Sequence, residues 1–453
     1  MNLRTKRGVA GILLTVLALV TVACGDDDKS ESGGATENGE AAAIKTNYGA
    51  DDSTIRVGLL ADLSGPFSVL VKDIVLAQQV YWDKVNKAGG IAGRQVKLNI
   101  QDNKYDVATH RQLFQSMKGQ DANGVLILSQ STGSPQTAAI KAELEAEDII
   151  AIPLSWYSGW ADPTFGKNVF EAYTTYCFEA MNAVEYMKDE LKAKKVAVVT
   201  LPNEAGHDSA AGAKYAIEKA GLTLAYDGDG KVTPPSPTTP NPDNSGAVSA
   251  IASSGADVVW TLVNPATQAQ LMGQAAAKGF KGKWVGATPS YNPALLKGDV
   301  KNLIDSSFYL SAYTVQLGTD VPGMSEMVDA IKAYDAKALA SDAYVYGWTE
   351  AQVTEAILRK AADNKDLTRE GVVKAAFELD KVDFKGLAPS QSWKGDPNSY
   401  VVRESYIFKP TLAEFKEGPI GVGSTGNKLL KGPFASEVAK SYDFKGPCYK
   451  PAA

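Results

Sequence analysis

The stretch Ile55–Arg94, IRVGLLADLSGPFSVLVKDIVLAQQVYWDKVNKAGGIAGR, limits the chain to a small set of folds. Ile55–Leu60 is a short aliphatic run of buried-strand length. Asp62-Leu63-Ser64-Gly65-Pro66 follows as a loop, in which Ser and Gly bend freely and Pro66 fixes its own φ. Ala77, Val80, Tyr81, Val85 and Ala88 then recur at helical spacing, so a helix returns beneath the strand. Gly89-Gly90 ends that helix by supplying the left-handed cap conformation, and Gln95–Asp102 reads as the next strand. The strand–loop–helix–strand unit puts its loop at the carboxyl end of the first strand, where open α/β sheets bind ligands.

The alternation continues. Val107–Met117 reads as a helix, Gly124–Leu128 as a strand, Ser134–Glu147 as a helix and Ile149–Ile152 as a strand. The strands are short and nearly all apolar, as expected where helices cover both faces of a parallel sheet. After the connecting segment Trp156–Lys167 the pattern restarts at Thr175 with a helix to about Leu191. Strand Lys195–Leu201, helix Asp208–Ala220, strand Leu222–Tyr226 and helix Ala247–Ser254 follow, then strand Asp257–Leu262, helix Ala266–Lys278 and strand Lys283–Val285. The fold class is α/β, with two similar lobes, each a mostly parallel sheet with helices on both faces. Five prolines between Asp227 and Ser245 exclude a helix or central strand there and mark a surface insertion. Helices are expected over Val321–Leu339, Ala343–Ala362 and Thr368–Phe377, and a strand over Tyr400–Phe408. Glu417–Ala453, rich in Gly, Lys and Pro, is expected to wrap the surface.

The amino terminus reads as a targeting segment. Arg4, Lys6 and Arg7 precede the apolar run Gly8–Val22, which ends at Val22-Ala23-Cys24 before the polar Gly25-Asp26-Asp27-Asp28. Small residues before a cysteine resemble a bacterial lipoprotein box, although Thr21 stands where that pattern prefers Leu. The resemblance implies a signal peptide over 1–24, lipid on Cys24 and an extracytoplasmic, membrane-anchored location; ordinary cleavage nearby is the alternative. Residues 25–53, polar and without periodicity, read as a disordered tether. With Cys24 lipidated, Cys177 and Cys448 remain, an even pair that in an exported chain is either a disulfide or two separate buried thiols. The net charge of −6 argues against nucleic acid as a partner, because phosphate binding needs a basic face.

Catalytic signals are sparse. The two histidines, His110 and His207, read as solvent-exposed and as a cap or surface residue at a helix start. No zinc-protease, nucleophile-elbow, Walker or dinucleotide motif occurs, Cys177 has no neighbours at ligand spacing, and no metal or cofactor is expected. Binding signals are stronger. Leu128-Ser129-Gln130-Ser131-Thr132-Gly133-Ser134-Pro135 follows the third strand, with Ser134 and Pro135 at the start of a helix. Its free amides and the Ser131 and Thr132 hydroxyls are either an anion cradle or a plain helix cap.

The S-G-P loop, paired with the A-G-G-I-x-G-R of Ala88–Arg94, resembles the first lobe of the leucine/isoleucine/valine-binding family, type I periplasmic binding proteins. That resemblance implies three crossovers between the lobes, with lobe 1 over 54–173 plus 312–387 and lobe 2 over 174–311 plus 388–453. It implies a ligand carboxylate held by the loop of Gln130, Ser131 and Thr132 and by Leu154, Ser155 and Trp156. Trp156 stands where the family has threonine and either faces the ligand or packs against lobe 2. Leu70 would form the side-chain wall, and Tyr173 lies beside the first crossover. In the second lobe Ala205, Val263 and Thr288 fall where the family has two tyrosines and an acid for the ligand's ammonium. None of the three can do that work, unless Glu204, Asp208 or Tyr291 substitutes, and an unpaired buried ammonium is costly. The expected ligand therefore carries a carboxylate or amide and an apolar body but no ammonium.

The function implied by the resemblance is capture, without bond chemistry, by a solute-binding lipoprotein that hands its ligand to an ABC permease for branched-chain amino acids or related small organic acids. Two other readings stand beside it. One is a sensory receptor feeding a membrane kinase. The other is an extracellular hydrolase using Ser131 or Ser155, weakened by the lack of a histidine or lysine paired with either serine in the sequence.

Overall fold

The computed structural model describes residues 43–236 and 239–451. Strand β1 (Lys45–Thr46) precedes a first sheet of β2 (Thr54–Ala61), β3 (Gln95–Asp102), β4 (Ile127–Thr132) and β5 (Ile150–Leu154). Its order is β3-β2-β4-β5 and every pair is parallel. Helices Ser68–Lys87, Val107–Met117 and Ser134–Ala146 connect successive strands. The second sheet contains β6 (Lys195–Thr200), β7 (Thr223–Gly228), β8 (Val258–Leu262), β9 (Lys283–Gly286) and β10 (Phe308–Ala312), parallel in the order β10-β9-β8-β6-β7. Strand β11 (Asp366–Leu367) pairs with β1, and β12 (Ser405–Lys416) with β13 (Ser424–Phe434) extends the second sheet antiparallel beyond β10.

The chain passes three times between the two sheets. It leaves the first after β5, returns after β10 to lay helix Ala343–Asp363 against helix Ser68–Lys87, and goes back for β12. The return is anchored by polar side chains as well as by apolar packing. Gln78 Nε2 donates to Glu350 Oε2 at 3.1 Å, and the hydroxyls of Ser129 and Thr354 lie 2.8 Å apart. The first loop is held from both ends. Asp62 accepts from the amides of Gly65 and Phe67 at 2.5 and 2.8 Å, while Asp102 accepts from Leu63 N and Ser64 Oγ at 2.9 and 2.7 Å. A loop so pinned presents Phe67 and the first turn of the following helix in a fixed direction.

The structure corrects several sequence expectations. Residues 43–53, assigned to the tether, are ordered: Lys45–Thr46 pairs with β11 and Ala50 is buried. Cys24 and the rest of 1–42 lie outside the described residues. The third strand is β4, shifted toward the carboxyl end, so Ser129–Thr132 is strand and not loop. Helix 321–339 shortens to Pro322–Tyr334. Strand β10 was not foreseen, and the strand expected at 400–408 runs instead from Ser405 to Lys416. The tail does not merely wrap the surface, because its Ser424–Phe434 is the outer strand of the second sheet. Gly and Pro are tolerated there because an edge strand needs only one row of ladder bonds.

Cys177 and Cys448 are disulfide-bonded across 271 residues, with Cα atoms 6.4 Å apart. The bond ties the tail to helix Tyr176–Asp189. Cys448 N also donates to Ser158 Oγ at 2.8 Å, and the Tyr157 hydroxyl donates to Tyr449 O at 2.6 Å. Cys448→Ser is expected to lower stability by about 2–4 kcal/mol in denaturant melts. Alkylation without reductant should leave the wild-type mass unchanged; two alkylated thiols would contradict the bond.

Candidate functional site

A cavity lies where the carboxyl ends of the two sheets face each other, with about 830 Å³ of atom-free space counting the part open to solvent. From the first sheet come Phe67 and Leu70 after β2, Thr132 and Gly133 at the end of β4, and Leu154 and Trp156 at the end of β5. From the second come Leu201 and Ala205 after β6, Leu262 at the end of β8, Thr288 after β9 and Leu310 on β10. Helix Ala343–Asp363 closes one side with Ala343 and Tyr346. Chain topology alone puts these residues together, since strand ends in doubly wound sheets converge on one crevice.

Six sequence-predicted residues line this cavity: Leu70, Thr132, Leu154, Trp156, Ala205 and Thr288. Five are not among its lining residues. Gln130 is buried, with its amide nitrogen 2.9 Å from Thr132 Oγ1. The Ser131 hydroxyl lies 2.8 Å from that of Thr137 and 3.3 Å from His110 Nε2. The Ser155 hydroxyl lies 2.6 Å from that of Ser134 and accepts from Trp160 Nε1 at 3.0 Å. The Tyr173 hydroxyl bonds Thr349 at 2.5 Å, and Val263 is buried with its amide on Ser290 Oγ at 3.1 Å. Of the cradle expected from the free amides with Ser131 and Thr132, Thr132 lines the cavity, whereas the Ser131 hydroxyl, like that of Ser155, is spent on internal partners. Of the substitutes considered, Tyr291 lines the cavity, whereas Asp208 is taken up by the amide and hydroxyl of Ser158.

Trp156 stands between the cavity and a cluster of tyrosines. It lines the cavity, and its ring lies 4.5 Å from that of Tyr313 and 5.9 Å from those of Tyr176 and Tyr346. Two acids stand near this end. Asp342 lines the cavity but accepts from Leu317 N and Thr425 Oγ1 at 2.8 Å each and from Asn427 Nδ2 at 2.6 Å. Burial pushes its carboxyl up to about 6, against the pull of those donors. Glu179 lies behind Thr288. Among the described residues lining the cavity there is no lysine, arginine or histidine. Sequence reasoning missed Tyr346, Asp342 and Glu179. The first two open a helix that reaches the site only through the second crossover, and no local pattern marks that.

His110 is corrected from exposed to fully buried. Its Nδ1 lies 2.9 Å from Asn103 Nδ2, and burial alone pushes the ring down to about 3. The histidine thought missing beside Ser131 is therefore present. Ser131, His110 and Asn103 are all fully buried, and none lines the cavity, so no substrate reaches the pair there. His207 lies in helix Glu204–Lys219 beside Asp229, at 2.7 Å, and the cap is Asn203. Among the described residues no group of His, Cys, Asp and Glu is placed to hold a metal ion, and no helix is long and apolar enough to cross a membrane.

A family profile described as periplasmic binding protein matches residues 54–411. Among solved structures, the fatty acid ABC transporter substrate-binding protein from Thermomonospora curvata is similar over 88% of this chain and 97% of its own, at 27% identity and a TM-score of 0.77. A branched-chain amino acid ABC transporter protein from Thermus thermophilus, solved with bound valine, covers 86% of this chain and 98% of its own at 19% identity and a TM-score of 0.71. A Leu/Ile/Val-binding protein homologue from Brucella melitensis is 25% identical over 207 residues, 46% of this chain. The match spans about half the length of that curated relative, 53%.

Proposed function

The chain belongs to the periplasmic binding protein family, of the type I, two-lobed kind, and on that premise we propose that it captures a small, apolar-bodied molecule for an ABC importer. The observation that carries the reading is the cavity wall: aliphatic and aromatic on both sides, without a cation, and with its own acid already holding three donors. An aliphatic chain buried there gains about 0.8 kcal/mol per methylene. A free ammonium has no unoccupied carboxylate on the lining, and an ionised carboxylate has no positive partner. The ligand is accordingly a long-bodied amide, or an acid of the fatty-acid kind bound in its protonated form, in preference to a branched-chain amino acid. The relative from Thermomonospora supports this choice.

Capture proceeds by closure of the lobes around hinges after residues 173, 311 and 387, which buries the ligand between the two sets of strand ends. The closed shape is what the permease reads, while lipid on Cys24 keeps the protein at the outer face of the membrane. Calorimetry tests the ligand class. Dodecanoic acid is expected to bind with micromolar or tighter affinity, and leucine, isoleucine and valine at least about a hundredfold more weakly. Tight binding of any of the three amino acids would overturn the assignment.

A further inference from the structure

The second-sheet side of the cavity has one polar end. Thr288 lines the cavity there, and its amide and hydroxyl both donate to Glu179 Oε1, at 3.0 and 3.1 Å. Glu179 comes from the first turn of helix Tyr176–Asp189 and is fully buried. Its Oε2 has no hydrogen-bond partner, and neither have the hydroxyls of its polar neighbours Tyr313 and Ser311, the Tyr346 hydroxyl or Trp156 Nε1. Tyr346 and Trp156 face the cavity, and Tyr313 packs on Trp156. Unpaired buried polar atoms are costly, so a head group that pairs several of them recovers what the free protein forgoes.

Building on the capture reading, we propose that Glu179 is an uncharged hydrogen-bonding group at this polar end, which admits a neutral acid or amide head and turns away an ammonium. The two carboxyl oxygens are used unequally. Oε1 accepts two donors and Oε2 accepts none, the arrangement of a carboxyl whose proton sits on Oε2. The titratable groups facing it are Tyr176 on its own helix, Tyr313 after β10 and Tyr346 on helix Ala343–Asp363. None of these brings a positive charge. Burial pushes the carboxyl up to about 8, against the pull of the two donors from Thr288. Glu179 does not itself line the cavity; kept neutral behind Thr288, it leaves the hydroxyls of Thr288 and Tyr346, which do line it, as uncharged partners for a carboxyl or amide.

The test uses the intact protein and Glu179→Gln, which keeps shape and removes the proton. The wild-type-minus-variant infrared difference spectrum at neutral pH is expected to show the carbonyl stretch of one buried protonated acid, over the bands of Glu171 and Glu350 that both proteins keep. Calorimetry with dodecanamide and dodecylamine is expected to give the amide at least about tenfold tighter, with Glu179→Gln keeping amide affinity within about threefold. Preference for the amine, lost by more than about tenfold in Glu179→Gln, would identify a charged counter-ion and overturn the proposal. A missing infrared band with binding intact would overturn it at Glu179 alone. A band present while neither these probes nor dodecanoic acid binds would overturn it through the capture reading.

Discussion

Gly347→Ala is expected to destabilise the protein by about 2–3 kcal/mol, against the usual direction of that substitution in a helix. Gly347 lies inside helix Ala343–Asp363, where alanine ordinarily gains about 1 kcal/mol over glycine. Here a Cβ would overlap the carbonyl oxygen of Ile74 on the facing helix and would meet Ala77 Cβ at 3.0 Å. The obstructing oxygen is backbone, so no rotamer change clears it and the helices must separate. Both helices furnish the cavity, Ser68–Lys87 through Leu70, Val71 and Ile74 and the other through Ala343 and Tyr346. Ligand affinity should therefore fall with stability. Thermal melts decide the sign: a raised midpoint would show that the crossing is looser than described.

Trp156→Ala should have the larger effect on binding and a comparable one on the fold. The indole is 5% exposed and touches the rings of Tyr173, Tyr176, Tyr313 and Tyr346. Removing a buried aromatic of this size costs about 3–5 kcal/mol, and less where the site collapses. The same ring lines the cavity, and on the proposed reading an apolar guest lies against it, so affinity for dodecanoic acid should drop by at least about tenfold. Trp156→Phe keeps most of the plate and serves as the control. Full affinity in Trp156→Ala, in protein that still folds, would place the guest elsewhere.

What the sequence showed and what it hid differ for physical reasons. Ile55–Arg94 was legible because strand, loop, helix and stop follow one another within a single local period. The resemblance carried by its motifs then led to loops at strand ends, and Leu70, Thr132, Leu154, Trp156, Ala205 and Thr288 do meet in one cavity. Ser129–Thr132 misled because a polar run reads as loop. It survives as a buried strand because Gln78, His110, Thr137 and Thr354 satisfy it from four different helices. That compensation is invisible until the helices are placed. Glu179, Asp342 and Tyr346 were hidden likewise, since each approaches the cavity from a helix whose position depends on a crossover. β13 escaped notice because an edge strand rich in Lys and Gly lacks the apolar run that marks a central one.

Native mass spectrometry of freshly purified protein puts the identity of the guest to the test without prior choice of ligand. The expected spectrum carries a one-to-one adduct that fragments as an acid or amide on an apolar chain and that excess valine does not displace. An adduct of leucine, isoleucine or valine, or ready displacement by any of them, would contradict a cavity built for a guest without an ammonium.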